Sequence, residues 1–94
     1  MARWNEVGKH RTVVYTDKDG VTRVKYHQTD VVAFDRRQVV LDSGGWQTNT
    51  TKLRMNQASN QYGLGYSVYQ KDFEWFVDFR GETYDFYDGI SFEL

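Results

Sequence analysis

The chain has 94 residues and a net charge of −1, with 39% hydrophobic and 17% aromatic residues. This length fits one domain, residues 1–94, with a single thin core, and valines and aromatic rings favour strands. Without cysteine the chain has neither disulfides nor thiolate metal sites, and it has no apolar run of the roughly 20 residues that a membrane span needs. We therefore expect a soluble, β-rich protein without a signal peptide.

The charge is divided unevenly along the chain. Residues 1–60 carry ten Lys and Arg against six Asp and Glu, whereas residues 61–94 carry two against seven, so the two parts have charges of +4 and −5. Such a split indicates either two surfaces of opposite sign or two halves that mix in one sheet. We favour mixing, because uneven charge of this size is common on solvated faces.

Two hairpins are predicted before residue 42. Arg11–Thr16 and Val21–His27 are rich in β-branched residues and flank the dipeptide Asp19-Gly20, which is a strong hairpin signal. Val31–Phe34 and Val39–Leu41 form a second pair around a polar turn. Their nearly continuous apolar runs predict strands that are covered on both faces.

One stretch, Ser43–Gln61, does not alternate like a strand. A double glycine ends the preceding strand, and Trp46 follows it. Threonine and asparagine side chains then offer the oxygens that cap a helix start, so we predict a helix over about residues 50–61. Gly63 and Gly65 are suitable ends for that helix.

The predicted helix has an apolar stripe, Met55, Ala58 and Tyr62, which should dock on the sheet. The rest of its surface is rich in amides, which make specific contacts without charge. We predict that this outer face and the Gly-Gly-Trp loop bind a partner. The alternative is that the amides bond to neighbouring strands and loops. The predicted partner-binding residues are Trp46, Lys52, Arg54, Asn56, Gln57, Asn60 and Gln61.

The β pattern returns in the last third of the chain. Tyr66–Gln70, Phe73–Phe79 and Thr83–Tyr87 predict a three-stranded meander, with alternate residues from Phe73 to Phe79 on one face. Ile90–Leu94 adds a short final strand to this half. The predicted fold is α+β: about seven antiparallel strands in a curved sheet or small barrel, with one inserted helix.

The sequence offers little support for catalysis or metal binding. His10 and His27 lack the spacing of a zinc site and the setting of a catalytic triad. The segment from Asp17 to Gly20 resembles the start of a calcium loop, but the twelfth position is Gln28 instead of glutamate. We predict no enzyme activity, metal or cofactor, and keep a metal-independent nuclease as a remote alternative, since histidines, arginines and carboxylates can divide acid and base roles.

Binding of single-stranded DNA or RNA is the main alternative function. A β surface with basic and aromatic residues can follow phosphates and stack bases, with Trp46 and Tyr26 as candidate stacking rings. The acidic second half argues against it, because acidic side chains repel phosphate. The basic residues predicted for this role are Arg11, Arg23, Lys25, Arg36 and Arg37.

A set of short motifs runs through the last two thirds of the chain. They are Gly44-Gly45-Trp46-x-Thr48-x-Thr50-Thr51-Lys52-x-Arg54-Met55-Asn56-Gln57, Asn60-Gln61-x-Gly63-x-Gly65, Val68-Tyr69-Gln70-Lys71-Asp72, Trp75-Phe76-Val77 and Phe86-x-Asp88-Gly89. Over about residues 30–94 the chain resembles a family of small uncharacterised proteins from tailed phages and prophages. The resemblance implies a phage setting, in the bacterial host cytoplasm or in the virion, and it implies no activity, cofactor or site.

The sequence thus predicts a non-enzymatic phage accessory protein that binds a host or phage protein. Open strand edges in a proline-free β protein also favour strand pairing between two copies, so a homodimer is a further option.

Overall fold

The computed structural model describes Val7 and residues 9–94, and within that range it has one helix and eight strands. The strand pairs are antiparallel, which confirms the α+β, β-rich class. In the described part of the chain, the helix is neither long nor apolar enough to cross a membrane. In chain order the elements are β1 (Thr12–Thr16), β2 (Thr22–Tyr26), β3 (Thr29–Phe34), β4 (Gln38–Leu41), α1 (Asn49–Tyr62), β5 (Tyr66–Lys71), β6 (Glu74–Phe79), β7 (Glu82–Asp85) and β8 (Ile90–Glu93).

The first sheet has five strands in the order β1-β2-β3-β4-β8. Its first four strands are the two predicted hairpins. In the β1–β2 turn the Asp17 carboxylate accepts the N–H groups of Asp19 and Val21 at 2.9 and 3.1 Å. The aspartates that resemble a calcium loop therefore serve the turn itself.

A bulge on β3 decides how its apolar run is buried. The register slips by one residue after the pair Val24–Val32, so Val31 lies outside the regular ladder. Val31 and Val32 are both almost fully buried, whereas Ala33 and Val40 are half-buried, so the predicted cover on both faces is only partial. Val31 lines a cleft together with Thr51 of α1, so the bulge allows both valines to be covered from the helix side.

The second sheet is the predicted meander β5-β6-β7. The β5–β6 turn consists of Asp72 and Phe73, whose φ angles of 52° and 68° are typical of a two-residue hairpin turn. The prediction that Phe73 opens β6 and shares one face with Trp75, Val77 and Phe79 is wrong, because β6 begins at Glu74 and the turn holds the Phe73 ring in solvent. The last strand, β8, pairs with β4 of the first sheet instead of extending the meander.

The two sheets pack against each other without closing into a barrel. Phe79 stacks on Phe92 with ring centroids 4.7 Å apart, and Tyr84 meets the same Phe92 ring edge-on at 5.1 Å. These contacts join the inner face of the second sheet to β8 of the first. The core consists mainly of valines and aromatic rings, as the composition predicts.

The helix starts and ends where the sequence predicts. The Thr48 hydroxyl accepts the Thr51 N–H at 3.2 Å, and Gly63 ends the helix in a left-handed conformation with φ of 65°. Met55 and Ala58 are fully buried and Tyr62 is partly buried against the core, so the predicted stripe faces inward. Thr51, one turn before Met55, is fully buried as well.

Side chains of α1 also bond to the outer edge of β5. Asn56 Nδ2 donates to the Val68 carbonyl at 2.9 Å, and its Oδ1 accepts the Val68 N–H at 2.8 Å. Ser59 Oγ donates to the Tyr66 carbonyl at 2.7 Å and accepts the Tyr66 N–H at 3.0 Å. Asn56 and Ser59 thus satisfy the backbone groups that a neighbouring strand would otherwise pair.

Candidate functional site

The amide-bearing face of α1 is turned inward over much of its length. Gln57 is buried, and its Oε1 accepts a hydrogen bond from Arg54 Nη1 at 3.1 Å. Arg54 is buried as well; its Nε donates to Thr12 Oγ1 at 2.9 Å, and its guanidinium lies 5.9 Å from the centroid of the Tyr26 ring. The prediction that Arg54 and Gln57 face outward is therefore wrong, because both side chains belong to the packing between the helix and the first sheet.

Asn56 and Lys52 are half-buried and engaged within the chain. Both polar atoms of the Asn56 amide bond to the backbone of Val68, so the expectation that Asn56 faces a partner is also wrong. Lys52 Nζ donates to Gln70 Oε1 at 3.2 Å and lies 5.3 Å from the centroid of the Trp75 ring. The alternative reading, in which polar helix residues bond to neighbouring strands, accounts for both.

The remaining predicted contact residues are exposed but lie at opposite ends of the helix. Trp46 precedes the start of α1, whereas Asn60 and Gln61 lie in its last turn, about 18 Å further along the axis. Gln61 Oε1 accepts the N–H of Val7 at 2.8 Å. These residues therefore do not form one surface.

Trp46 instead shares one end of the fold with two other exposed rings. Because the bonds between α1 and β5 run antiparallel, the start of the helix lies at the same end as the β5–β6 turn, which carries Phe73. The β7–β8 loop reaches this end too, since Asp88 Oδ1 accepts the N–H and the hydroxyl of Ser43 at 2.8 and 2.7 Å. We call this end the aromatic pole and define it by Trp46, Phe73 and Tyr87, whose side chains are 71%, 94% and 62% exposed.

A cleft of about 400 Å³ opens beside Trp46. It lies between the start of α1, the β2–β3 turn and the Gly-Gly-Trp loop, and its volume falls within the range of ligand pockets. The lining includes no Asp, Glu, Lys or Arg, and it offers hydroxyl, amide and ring groups. The lining residues are Tyr26, His27, Gln28, Thr29, Val31, Ser43, Trp46, Thr48 and Thr51.

The double glycine sets the position of Trp46 over this cleft. Gly44 has φ of 63°, and a Cβ built on it would lie 2.9 Å from Thr29 Cγ2 and closer still to Thr29 Oγ1. Gly45 has φ of 84° but faces open space. The turn closes with the Trp46 N–H donating to the Ser43 carbonyl at 3.0 Å. The two glycines, predicted only as a strand break, therefore allow the loop to approach the cleft wall.

Phe73 is the residue at the aromatic pole that the fold explains least. A left-handed φ costs a non-glycine residue about 1–2 kcal/mol, and this ring gains almost no burial in return. Strained and exposed residues of this kind gather at functional sites. Sequence reasoning missed Phe73 because it continues the alternation of β6, although the polar Lys71-Asp72 pair before it signals a turn.

Two of the basic residues predicted for nucleic-acid binding face carboxylates. Arg23 Nε lies 3.0 Å from Asp17 Oδ2, and its Nη1 lies 3.5 Å from Asp30 Oδ2. The Val21 N–H first and the Arg23 guanidinium second lower the pKa of the Asp17 carboxyl. In the ladder, Lys25 pairs with Asp30. This part of the sheet is therefore locally neutralised.

The other three predicted basic residues lie at two ends of the first sheet. Arg11 precedes β1 on the side of the aromatic pole, while Arg36 and Arg37 occupy the β3–β4 turn at the opposite end. The five residues of β2 that separate these ends span about 17 Å. The basic residues therefore do not make one continuous track.

Within the described residues, no three His, Asp or Glu side chains come close enough together to hold a metal ion. The His27 N–H donates to the Arg11 carbonyl at 3.0 Å, so the turns that carry His10 and His27 meet at one end of the first sheet. The His27 ring packs edge-on against Tyr26 at 4.3 Å. Cleavage of a nucleic acid by these residues remains a remote prediction, tested by the variant His10→Ala/His27→Ala.

Comparison with known proteins supplies a family. No curated protein and no solved structure matches the chain. A family model described as Kyanoviridae Gp96 protein matches residues 1–93, and so includes the N-terminal hairpin that the motif resemblance left out. The chain therefore belongs to the Kyanoviridae Gp96 protein family, a family of phage proteins.

Proposed function

We propose that this phage protein is a non-enzymatic binding module that holds a protein partner at the aromatic pole. The observation that carries the proposal is the exposure of three rings, Trp46, Phe73 and Tyr87, at one end of the fold, where Trp46 also lines a cleft without Asp, Glu, Lys or Arg. Tryptophan, tyrosine and phenylalanine are enriched at protein interfaces, where they fill pockets and supply much of the binding energy. The partner is a host or phage protein, met in the host cytoplasm or on the virion.

The chemistry of the cleft favours a partner segment with an apolar or aromatic side chain. Such a side chain would lie against Tyr26 and Trp46, and the exposed amide of Gln28 in the same lining would orient a polar atom. The Phe73 ring, which projects from the hairpin turn, would enter a pocket of the partner. This reassigns the predicted interface from the helix amides to the loops at one end of the fold.

The key test uses Phe73→Asn, because this substitution separates binding from stability. Asparagine tolerates a left-handed φ, so removing the ring relieves strain, and we expect the free energy of unfolding to rise by about 1 kcal/mol. We expect the same variant to lose capture of the partner from phage-infected host lysate. A loss of binding in a more stable protein cannot be attributed to misfolding.

Two further variants, Trp46→Ala and Arg36→Ala, test where on the protein the partner binds. Trp46→Ala should lose the same captured protein, whereas Arg36→Ala, exposed at the opposite end of the fold, should retain it. The interaction is then mapped by amide chemical shifts of the cleft residues on titration with the purified partner. If every captured protein is retained equally by all three variants, the aromatic pole is not the binding surface.

Binding of single-stranded nucleic acid is the competing function and has weaker support, because Arg23 is paired and the other basic residues are scattered. It predicts retention on an oligonucleotide that falls steeply as salt rises. Retention that does not change with salt, or no retention at low salt, eliminates it.

A further inference from the structure

Strand β1 is an edge of the first sheet, and among the described residues only the Thr12 N–H of its outward backbone groups has a partner. Its ladder to β2 is flanked by bonds from His27 N–H to the Arg11 carbonyl and from Asp17 N–H to the Val21 carbonyl, at 3.0 and 2.9 Å. Antiparallel residue pairs alternate between hydrogen-bonded and non-hydrogen-bonded, so the backbone N–H and carbonyl groups of the odd-numbered residues in this segment point toward β2. The backbone groups of the even-numbered residues therefore point away from the sheet.

The other sheet edges are protected and β1 is not. Asn56 and Ser59 bond along the outer edge of β5. Strands β7 and β8 have only four residues each and carry carboxylates, which discourage pairing. The five residues of β1, Thr-Val-Val-Tyr-Thr, include neither a charge nor a proline, and Val13 and Val14 are 58% and 40% exposed.

We propose that β1 pairs antiparallel with β1 of a second copy of this chain, about a two-fold axis that passes beside Val14. In this register Val14 lies opposite Val14 of the second copy, Val13 opposite Tyr15, and Thr12 opposite Thr16. The pairing continues the five-stranded sheet of one copy into that of the other, and the contact is self-complementary, as a two-fold interface requires.

The self-pairing is supported first by hydrogen bonding. Val14 has both its N–H and its carbonyl turned outward, so the two copies exchange a pair of bonds across the axis. The Thr16 N–H of each copy donates to the Thr12 carbonyl of the other copy, so these two symmetry-related bonds complete the ladder. The Thr12 N–H is already bonded to the Lys9 carbonyl at 3.2 Å, so it is not required. Such main-chain bonds supply the affinity of strand addition.

Side chains and charges agree with the same register. Val13 opposite Tyr15 is a pair of a β-branched residue with an aromatic ring, and threonine opposite threonine is also favourable. Beyond the strand, Arg11 falls opposite Asp17 of the second copy, so the ends of the ladder match in charge. A second copy therefore fits this edge without placing like charges opposite each other at these positions.

Single cysteines test the register, because the chain has no cysteine of its own. In Val14→Cys the two Cα atoms would lie about 5.5 Å apart, within the range of a disulfide. In Val13→Cys they would be diagonal neighbours about 7–8 Å apart, beyond that range. Under oxidised glutathione we expect a covalent dimer from Val14→Cys and monomer from Val13→Cys, although Val13 is the more exposed. Equal cross-linking of both variants, or of neither, overturns the register.

Light scattering and sedimentation equilibrium test the dimer itself. We expect the wild type to have twice the chain mass of 11.1 kDa and Val14→Pro to have the chain mass alone. Proline at 14 removes an N–H that points away from β2, so the β1–β2 ladder survives, as circular dichroism should verify. Val14→Thr retains the N–H and should remain dimeric, and so should Trp46→Ala. A wild type that is monomeric at its highest soluble concentration, or a dimeric Val14→Pro, refutes the proposal.

Discussion

Asn56→Ala should destabilise the protein through the edge of β5. The substitution removes the two bonds, 2.9 and 2.8 Å long, that hold the carbonyl and the N–H of Val68. Leaving a buried backbone group without a partner costs about 1–3 kcal/mol. Because this pair is only partly buried, water recovers some of that loss, and we expect about 2–3 kcal/mol in total. This is a large fraction of the roughly 5–15 kcal/mol that holds such a domain together.

Urea unfolding measures the effect, and hydrogen exchange locates it. With an m value of about 2 kcal/mol/M, the midpoint should fall by about 1–1.5 M. Exchange of the Val68 amide proton should accelerate more than that of β2 amides, because the substitution removes Asn56 Oδ1, the acceptor of the Val68 N–H. Ser67→Ala, on the exposed face of the same strand, is the matched control and should change stability by less than about 0.5 kcal/mol. An Asn56→Ala midpoint within the error of wild type, with unchanged Val68 exchange, would refute the reasoning.

Three further predictions concern the cleft, the buried arginine and alkaline pH. In urea titrations Gly44→Ala should lower the free energy of unfolding by more than Gly45→Ala. Both alanines would have a strained positive φ, but only the Cβ at position 44 would meet Thr29. Equal losses would show that the loop does not press on Thr29. Arg54→Met should cost about 2–4 kcal/mol in thermal unfolding, because it removes the buried hydrogen bonds that Arg54 donates to Gln57 and Thr12. Lys52→Met should cost less than about 1 kcal/mol, and similar losses in the two variants would contradict the buried role of Arg54. Burial raises the pKa of the Tyr66 phenol, whose hydroxyl donates to the Met55 carbonyl at 2.6 Å. The folded state therefore resists its ionisation, and stability that is intact below the unfolded pKa of about 10 is lost as pH rises above it. Tyr66→Phe should flatten this alkaline loss of stability, and an unchanged slope would argue against the buried phenol.

The parts of the fold that depend on local chemistry were predictable. The Asp19-Gly20 turn and the Thr48 cap act within a few residues, so the first hairpin and the helix follow from the sequence. The strand that pairs with β8 could not be predicted, because the alternation of apolar and polar residues in Ile90–Glu93 is the same whichever strand β8 joins. Its place beside β4 depends on packing between sheets, where Phe92 meets Phe79.

The candidate site was predictable only in part. Trp46 stands out beside a double glycine and is exposed as expected. Arg54 and Gln57 were misplaced because a polar helix residue looks the same in sequence whether it bonds to water or to another side chain of the protein, as Arg54 does to Thr12 and Gln57. Phe73 was missed because it continues the alternating pattern of β6, and because a turn residue with its left-handed conformation is ordinarily glycine or asparagine.

The pairing of β4 with β8 has a consequence for synthesis on the ribosome. Strand β4 is complete by Leu41, but its neighbour β8 does not begin until Ile90. Until then the nascent chain displays Val39 and Leu41 along an open ladder. We expect a message truncated before Ile90 to yield insoluble product, because the edge of β4 then remains open to pairing with other chains.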